Sequence, residues 1–357
     1  MKPFLFLLFL LSCTISAYSQ DVVFSPSDWE DPSVFEKNQT LPHSAMVPFK
    51  DEQLAITMDP EQSPFFLSLD GSWKFLLVEH PRIVPEGFWK PGFDVSGWEN
   101  LKVPSNWEME GFGHPKFRNI AMTIETEPPV VPDYYNPTGC YKRTFNLPAE
   151  WNDHEVMLRF EGVKSASYVW VNGQRVGYNQ GGFEPAEFNI TSFLKPGKND
   201  ISVKVLRYSD GAFLENQDMW RLSGIFRSVN LVARTRVHIH DYYMATEFDS
   251  EYRDADMHVE VDLQNLTGGN QRGYQVGVKL LDAQQRPVPG SMVKQPAGNL
   301  KRGISNPIRF IVPVQNPLQW SAEKPNLYTL VLTLENRDGS IEEVISKRMG
   351  FRQTEIR

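Results

Sequence analysis

The sequence predicts an all-β protein of two sandwich domains, a jelly roll over residues 65–234 followed by an immunoglobulin-like sandwich over residues 235–352. Three observations lead there. Short runs such as Ser72-Trp73-Lys74-Phe75-Leu76-Leu77 and His258-Val259-Glu260-Val261-Asp262-Leu263 alternate apolar and polar residues, the period of a half-buried strand. Asn172-Gly173 sits between two such runs, Tyr168–Val171 and Gln174–Tyr178, and this pair tolerates the positive φ that a two-residue hairpin needs. No sustained helical stripe interrupts either region.

In chain order, residues 1–19 read as an export signal. Lys2 supplies a positive start, Phe4 to Leu11 an apolar stretch, and Ala17-Tyr18-Ser19 a small-x-small cleavage site. Leu10-Leu11-Ser12-Cys13 is a second candidate, a lipobox that would leave Cys13 lipidated, although Leu11 fits that pattern poorly. Either route predicts a periplasmic or extracellular protein. The apolar stretch is too short to span a bilayer and no later segment approaches the necessary length, so no membrane span is expected. Residues 20–64 read as an extended arm, broken by Pro26, Pro32, Pro42, Pro48, Pro60 and Pro64. It is either a flexible leader or a segment that docks on a partner surface.

The first sandwich continues through Val156–Glu161, Phe188–Thr191 and Ile201–Val205, the last two joined by a Lys195-Pro196-Gly197-Lys198-Asn199 turn. The second contains Gln275–Leu280, Ile308–Val312 and Tyr328–Leu334, without the Cys and Trp hallmarks of antibody domains. Residues 353–357 read as the start of a further domain. The net charge of −8, with no basic run, argues against a nucleic-acid partner. With only Cys13 and Cys140 present, packing rather than an intrachain disulfide must hold the fold. His238 and His240 lack a third ligand at metal-binding spacing and read as ordinary surface residues. No His-Glu-x-x-His, Gly-x-Ser-x-Gly or phosphate-loop pattern occurs.

Two loops depart from this plain pattern. Pro104–Gly113, followed by Phe117-Arg118-Asn119, is dense in aromatics and amides. Aromatic faces stack on sugar C–H faces, and amides both donate to and accept from hydroxyls. The competing reading puts Trp107 in the sandwich core. Ser209–Arg227 carries three acids, two amides and two arginines among apolar residues. Buried without partners these would cost about 1–3 kcal/mol each, so they must bond to one another, to an ion or to a ligand.

These loops carry a resemblance. Asn216-Gln217-Asp218-Met219-Trp220-Arg221, Pro104-Ser105-Asn106-Trp107 and Asn136-Pro137-Thr138-Gly139-Cys140-Tyr141 are similar to the N-terminal domains of the glycoside hydrolase family 2 β-galactosidases, the large bacterial lactose-cleaving type. Asp28-Trp29-Glu30-Asp31-Pro32, Leu69–Phe75, Trp320–Tyr328 and Gly350-Phe351-Arg352 match the same family in the same order. The resemblance implies a galactose-binding-like jelly roll, an immunoglobulin-like sandwich, and then a (β/α)₈ barrel. That barrel would hold the magnesium site and two catalytic glutamates that cleave with retention. On this basis the chain stops before the barrel and carries no catalytic residue of its own. Asn119 matches an asparagine that contacts galactose, and Asp218 an aspartate that approaches galactose hydroxyls and helps ligate sodium. Asn216 departs from the pattern, standing where aspartate is common. The arm matches a segment that crosses a subunit interface, which implies a homo-oligomer for the whole enzyme. The rival readings are a free-standing exported galactoside-binding module and another family 2 glycosidase such as a β-glucuronidase.

Overall fold

The computed structural model describes residues 28–117, 124, 126–215 and 217–356; the export signal with Cys13, Asn119 and Asn216 lie outside the described residues. It has the expected all-β architecture of two sandwiches. In the first, a seven-stranded antiparallel sheet runs in spatial order Glu36–Lys37, Gln174–Gln180, Ala166–Val171, Gly197–Leu206, Thr138–Leu147, Gly71–Val78 and Glu99–Val103. A four-stranded sheet, Ala186–Asn189, Glu155–Phe160, Val229–Arg234 and Phe66–Ser68, packs on one face of it. Asn172 and Gly173 close the predicted hairpin with φ of 51° and 82°.

Both faces of the larger sheet are covered, which is why its central strands Ala166–Val171 and Gly197–Leu206 are buried along most of their length, polar positions such as Ser202 included. Ile201, Val203 and Val205 point into the inter-sheet core, whereas Leu206 points the other way with Tyr168, Trp170 and Tyr178. Phe88 and Trp89 cover that outer face, with Trp89 stacked on Trp170 at 5.4 Å and 14° between planes. Cys140 is buried here as a free thiol, and burial pushes its pKa up to about 12.

The arm completes this layer instead of trailing from it. Asp28 is buried, and its carboxylate accepts from Lys37 Nζ (2.9 Å) and from Tyr168 OH (3.3 Å). Lys204 lies with its ammonium 4.4 Å from the Tyr168 ring and 5.5 Å from Trp29, and burial pulls its pKa down to about 8. Glu36–Lys37 adds an edge strand to Gln174–Gln180. The close approach needs a glycine opposite: a Cβ on Gly177 would sit 2.6 Å from the Lys37 carbonyl oxygen.

From there the arm crosses to the second sandwich. His43 Nε2 meets Glu187 Oε1 at 3.2 Å, still on the first domain. The next residue, Ser44, donates its N–H to Asp241 (2.8 Å) and its hydroxyl to the Tyr242 carbonyl (2.9 Å). Met46 enters the second core, and Phe49 exchanges backbone hydrogen bonds with Val344 at 2.9 and 2.8 Å. One helical turn, Glu52–Ala55, capped by Asp51, follows before the chain returns to the first domain at Phe66. The prolines thus exclude a long helix but leave room for this turn.

The second sandwich pairs the sheet Val237–Phe248, Ala255–Asn265, Asn306–Val314 with the sheet Val293–Pro296, Gln275–Leu281, Tyr328–Glu335, Ile341–Met349. Met257, Val259, Val261 and Leu263 alternate inward along the central strand. Phe351 closes this core against Tyr328 (5.1 Å between ring centroids). Gly350 is required because a Cβ there would lie 2.6 Å from Trp320, and the Arg352 guanidinium sits 5.3 Å from the same ring. Gly350-Phe351-Arg352 is thus a packing motif for Trp320. Among the described residues no helix is long and apolar enough to cross a membrane.

The surface reading of His238 and His240 does not hold. His238 is buried at the domain junction, where its Nδ1 faces the Thr235 carbonyl at 2.9 Å, and His240 is half-buried. The two do not follow a simple strand face, because the register shifts between Ile239 and Asp241. Burial, with Arg234 nearby, drives the His238 pKa down to about 3. The unfolded chain, with an ordinary histidine pKa near 6.5, then binds a proton that the folded chain refuses. Stability is therefore expected to fall as pH drops from about 6.5 toward 3, by about 2 kcal/mol at pH 5 from this residue. In denaturant titrations at pH 7 and pH 5, His238→Asn, which keeps a donor for Thr235, should lose markedly less stability than the parent chain.

Candidate functional site

The two loops singled out in the sequence lie together at one end of the first sandwich. Their contact begins with Trp107, which is fully buried and packs 6.0 Å from the Phe75 ring. Trp107 is therefore a core residue, and no sugar can stack on it. Its space exists because residue 139 is glycine: a Cβ there would come within 2.7 Å of Trp107 and 2.8 Å of Phe75. Backbone bonds then zip the loops together, Ser105 N–H to the Ile225 carbonyl (2.9 Å) and Trp107 N–H to the Ser223 carbonyl (3.2 Å). Gly224, at φ +115°, permits that approach, since a Cβ would lie 3.0 Å from the Ser105 carbonyl oxygen.

The next residue, Glu108, is buried and faces Arg207 at 3.3 Å, the two side chains being 0% and 4% exposed. Glu108 Oε2 accepts from Ser223 N–H at 2.8 Å. Burial pushes the Glu108 pKa above the ordinary range, against the opposing pull of the Ser223 N–H and of Arg207. The Arg207 guanidinium donates to the carbonyls of His114 (3.2 Å) and Arg221 (3.1 Å), one from each loop. Neither Glu108 nor Arg207 stood out in the sequence. The available signal was a charged residue directly beside a core tryptophan and another directly after an apolar strand.

Beyond this buried base the second loop turns outward. Arg221 Nη1 donates to the carbonyls of Gln217 (2.5 Å) and Met219 (2.6 Å), and its N–H donates to the Lys116 carbonyl (2.7 Å). The Arg221 side chain thereby folds residues 217–221 into a tight turn with Asp218 exposed at its tip. Phe117 and Trp220, both exposed, stand beside it with ring centroids 5.4 Å apart. A groove lined by His114, Lys116, Tyr134, Tyr135 and Tyr208 continues from there. Behind the turn, Glu215 Oε1 accepts from Gly182 N–H (2.5 Å), and the Lys164 ammonium lies 4.3 Å from the Phe183 ring. Burial raises the Glu215 pKa and lowers that of Lys164, and each charge pulls the other back toward ionisation.

The end of the sandwich thus presents an exposed carboxylate beside exposed aromatics. Such a surface accepts hydrogen bonds from hydroxyls and offers apolar faces to a sugar ring. It does not by itself make a cation site. Asp218 is a single carboxylate, the Gln217 and Met219 carbonyls are already engaged by Arg221, and no cluster of three or more His, Cys, Asp or Glu suited to a metal occurs among the described residues.

Residues 66–235 match the family description "Glycosyl hydrolases family 2, sugar binding domain", and residues 237–352 match "Glycosyl hydrolases family 2". The chain belongs to glycosyl hydrolase family 2. It is 38% identical over 335 residues to a β-galactosidase of Priestia megaterium, covering 92% of this chain and 32% of that protein. A β-galactosidase of Vibrio cholerae is 37% identical over 340 residues, covering 94% of this chain and 32% of the relative. The chain therefore spans about a third of the length of these curated relatives. A solved β-glucuronidase of Bacteroides uniformis superposes with a TM-score of 0.65 at 24% identity, over 80% of this chain and 32% of that one, a likeness of fold alone.

The packing of Trp107 yields a direct expectation. Gly139→Ala forces a methyl group into Trp107 and Phe75 and should cost about 1–3 kcal/mol by denaturant unfolding. Gly97→Ala, where a Cβ would meet nothing within 4 Å, should be close to neutral.

Proposed function

We propose that the chain is the N-terminal portion of an exported β-galactosidase that hydrolyses terminal β-D-galactosides with retention. Its part is to supply sugar-contacting loops to an active site whose two glutamates and magnesium lie in a barrel outside this chain. The observation that carries this reading is the 38% identity to a β-galactosidase across 92% of the chain. The loop chemistry supports it. Asp218 is a hydrogen-bond acceptor for galactose hydroxyls, Asn119 both donates and accepts, and the Phe117 and Trp220 rings offer apolar faces. A glucuronide would instead bring a carboxylate toward Asp218, an unfavourable pairing of like charge. A sodium ion bound through Asp218 would need its remaining oxygens from beyond the described residues. Residues 1–19 act as the export signal, with lipidation at Cys13 as the alternative. The complete enzyme works as a homo-oligomer.

The purified chain should show no turnover of a chromogenic β-galactoside. The complete enzyme should prefer a nitrophenyl β-galactoside to the corresponding β-glucuronide by about 100-fold or more in kcat/KM. Asp218→Asn should lower kcat/KM on the galactoside by about tenfold or more. Preference for the glucuronide, or clear turnover by the chain alone, would contradict the proposal.

A further inference from the structure

We infer that the Glu108–Arg207 ion pair is a positioning clamp, which fixes the Asp218 turn relative to the Pro104–Gly113 loop so that both present themselves to one sugar. The inference rests on the reading of Asp218 as a sugar contact given above. Neither residue is a catalytic residue: Glu108 is fully buried, and Arg207, of which only an edge reaches the groove beside His114 and Tyr208, spends its guanidinium donors on the backbone carbonyls of the two loops.

A buried ion pair contributes little net stability. Desolvation offsets most of the attraction, and apolar residues of similar size hold a core equally well, so such a pair is weak evidence of a stabilising role. Its hydrogen bonds say where it acts. Arg207 leaves the end of the strand Gly197–Leu206, a rigid member of the central sheet. Its planar fork reaches the His114 carbonyl on one loop and the Arg221 carbonyl on the other. Glu108, set in place by the buried Trp107 next to it, accepts from Ser223 N–H, two residues beyond that same carbonyl. Arg221 in turn folds the turn that carries Asp218. The chain of contacts runs without a gap from the sheet to the carboxylate: Arg207, the Arg221 backbone, the Arg221 side chain, the 217–219 carbonyls. Nη1 and Nη2 both donate to the His114 carbonyl and Nη2 also to that of Arg221, so a lysine at 207 would keep the charge but lose this planar two-nitrogen grip.

The test pairs Arg207→Lys with Glu108→Gln, the latter nearly isosteric and retaining an acceptor for Ser223. In the purified chain, amide hydrogen exchange at Arg221 and Ser223 should accelerate about tenfold in both variants, while the strands Gly71–Val78 and Tyr328–Glu335 stay unchanged. In the complete enzyme, KM for a nitrophenyl β-galactoside should rise about fivefold or more with kcat changed less than about twofold, the mark of lost ground-state binding. Exchange that rises equally in Gly71–Val78 would make the pair an ordinary core element and overturn the clamp. Loosened loops with an unchanged KM would overturn it too. Asp218→Asn separates the two ideas. If it raises KM and Arg207→Lys does not, the clamp alone fails. If it leaves KM unchanged, the sugar reading of the turn fails, and the exchange result still decides whether the pair holds the loops.

Discussion

Trp107 occupies the space that Gly139 leaves open beneath Phe75, and the functional end of the molecule is built outward from that contact. A loop rich in aromatics can spend them on a ligand or on its own anchorage, and here the division is sharp. Trp107 is buried and anchors; Phe117 and Trp220 are exposed and remain available. Because the anchor is a large rigid ring in a close-packed interior, the residues beside it inherit a fixed position. Glu108 is the first of these, and through Ser223 and Arg207 it passes that position to the second loop.

The arm solves a different problem, that of two sandwiches joined by a short connection between Arg234 and Val237. Asp28, through Tyr168, and Lys37, paired with Tyr178, fasten its start to the first domain, Ser44 and Phe49 fasten its middle to the second, and Phe66 brings the chain back. At the junction itself Arg234 reaches Glu343 across the domains at 3.4 Å, and Glu343 also accepts the Ile239 N–H. Glu187 is held below its ordinary pKa there, the cost of burial being outweighed by His43, Arg234 and Arg159. These contacts are all within one chain, so the arm from Asp28 onward has a structural role before any subunit interface is considered.

Much of this fold was legible in the sequence because strand period and turn chemistry are local signals. The Asn172-Gly173 hairpin and the inward alternation of Met257 to Leu263 needed no tertiary information. The strand Thr138–Leu147 was not read, since it is buried on both faces at its start and shows no alternation there. His238 looked like a surface residue because its burial depends on the domain junction, where Arg234 and Glu187 of the first domain approach it from distant segments. The Glu108–Arg207 pair is separated by more than half the length of the first domain and was invisible for the same reason. The site was half legible. Composition marked both loops as unusual and the resemblance named Asp218, but only the structure shows which aromatics are anchors and which are exposed.

The central claim is that these loops hold the sugar while the catalytic carboxylates come from elsewhere. The most direct measurement is a crystal structure of the complete enzyme with a galactose-derived inhibitor bound. Asp218 and Asn119 should lie within hydrogen-bonding distance of the sugar hydroxyls, roughly 2.6–3.2 Å, with Trp107 still buried and out of contact. A sugar held by the barrel alone, with neither residue within about 5 Å, would contradict it.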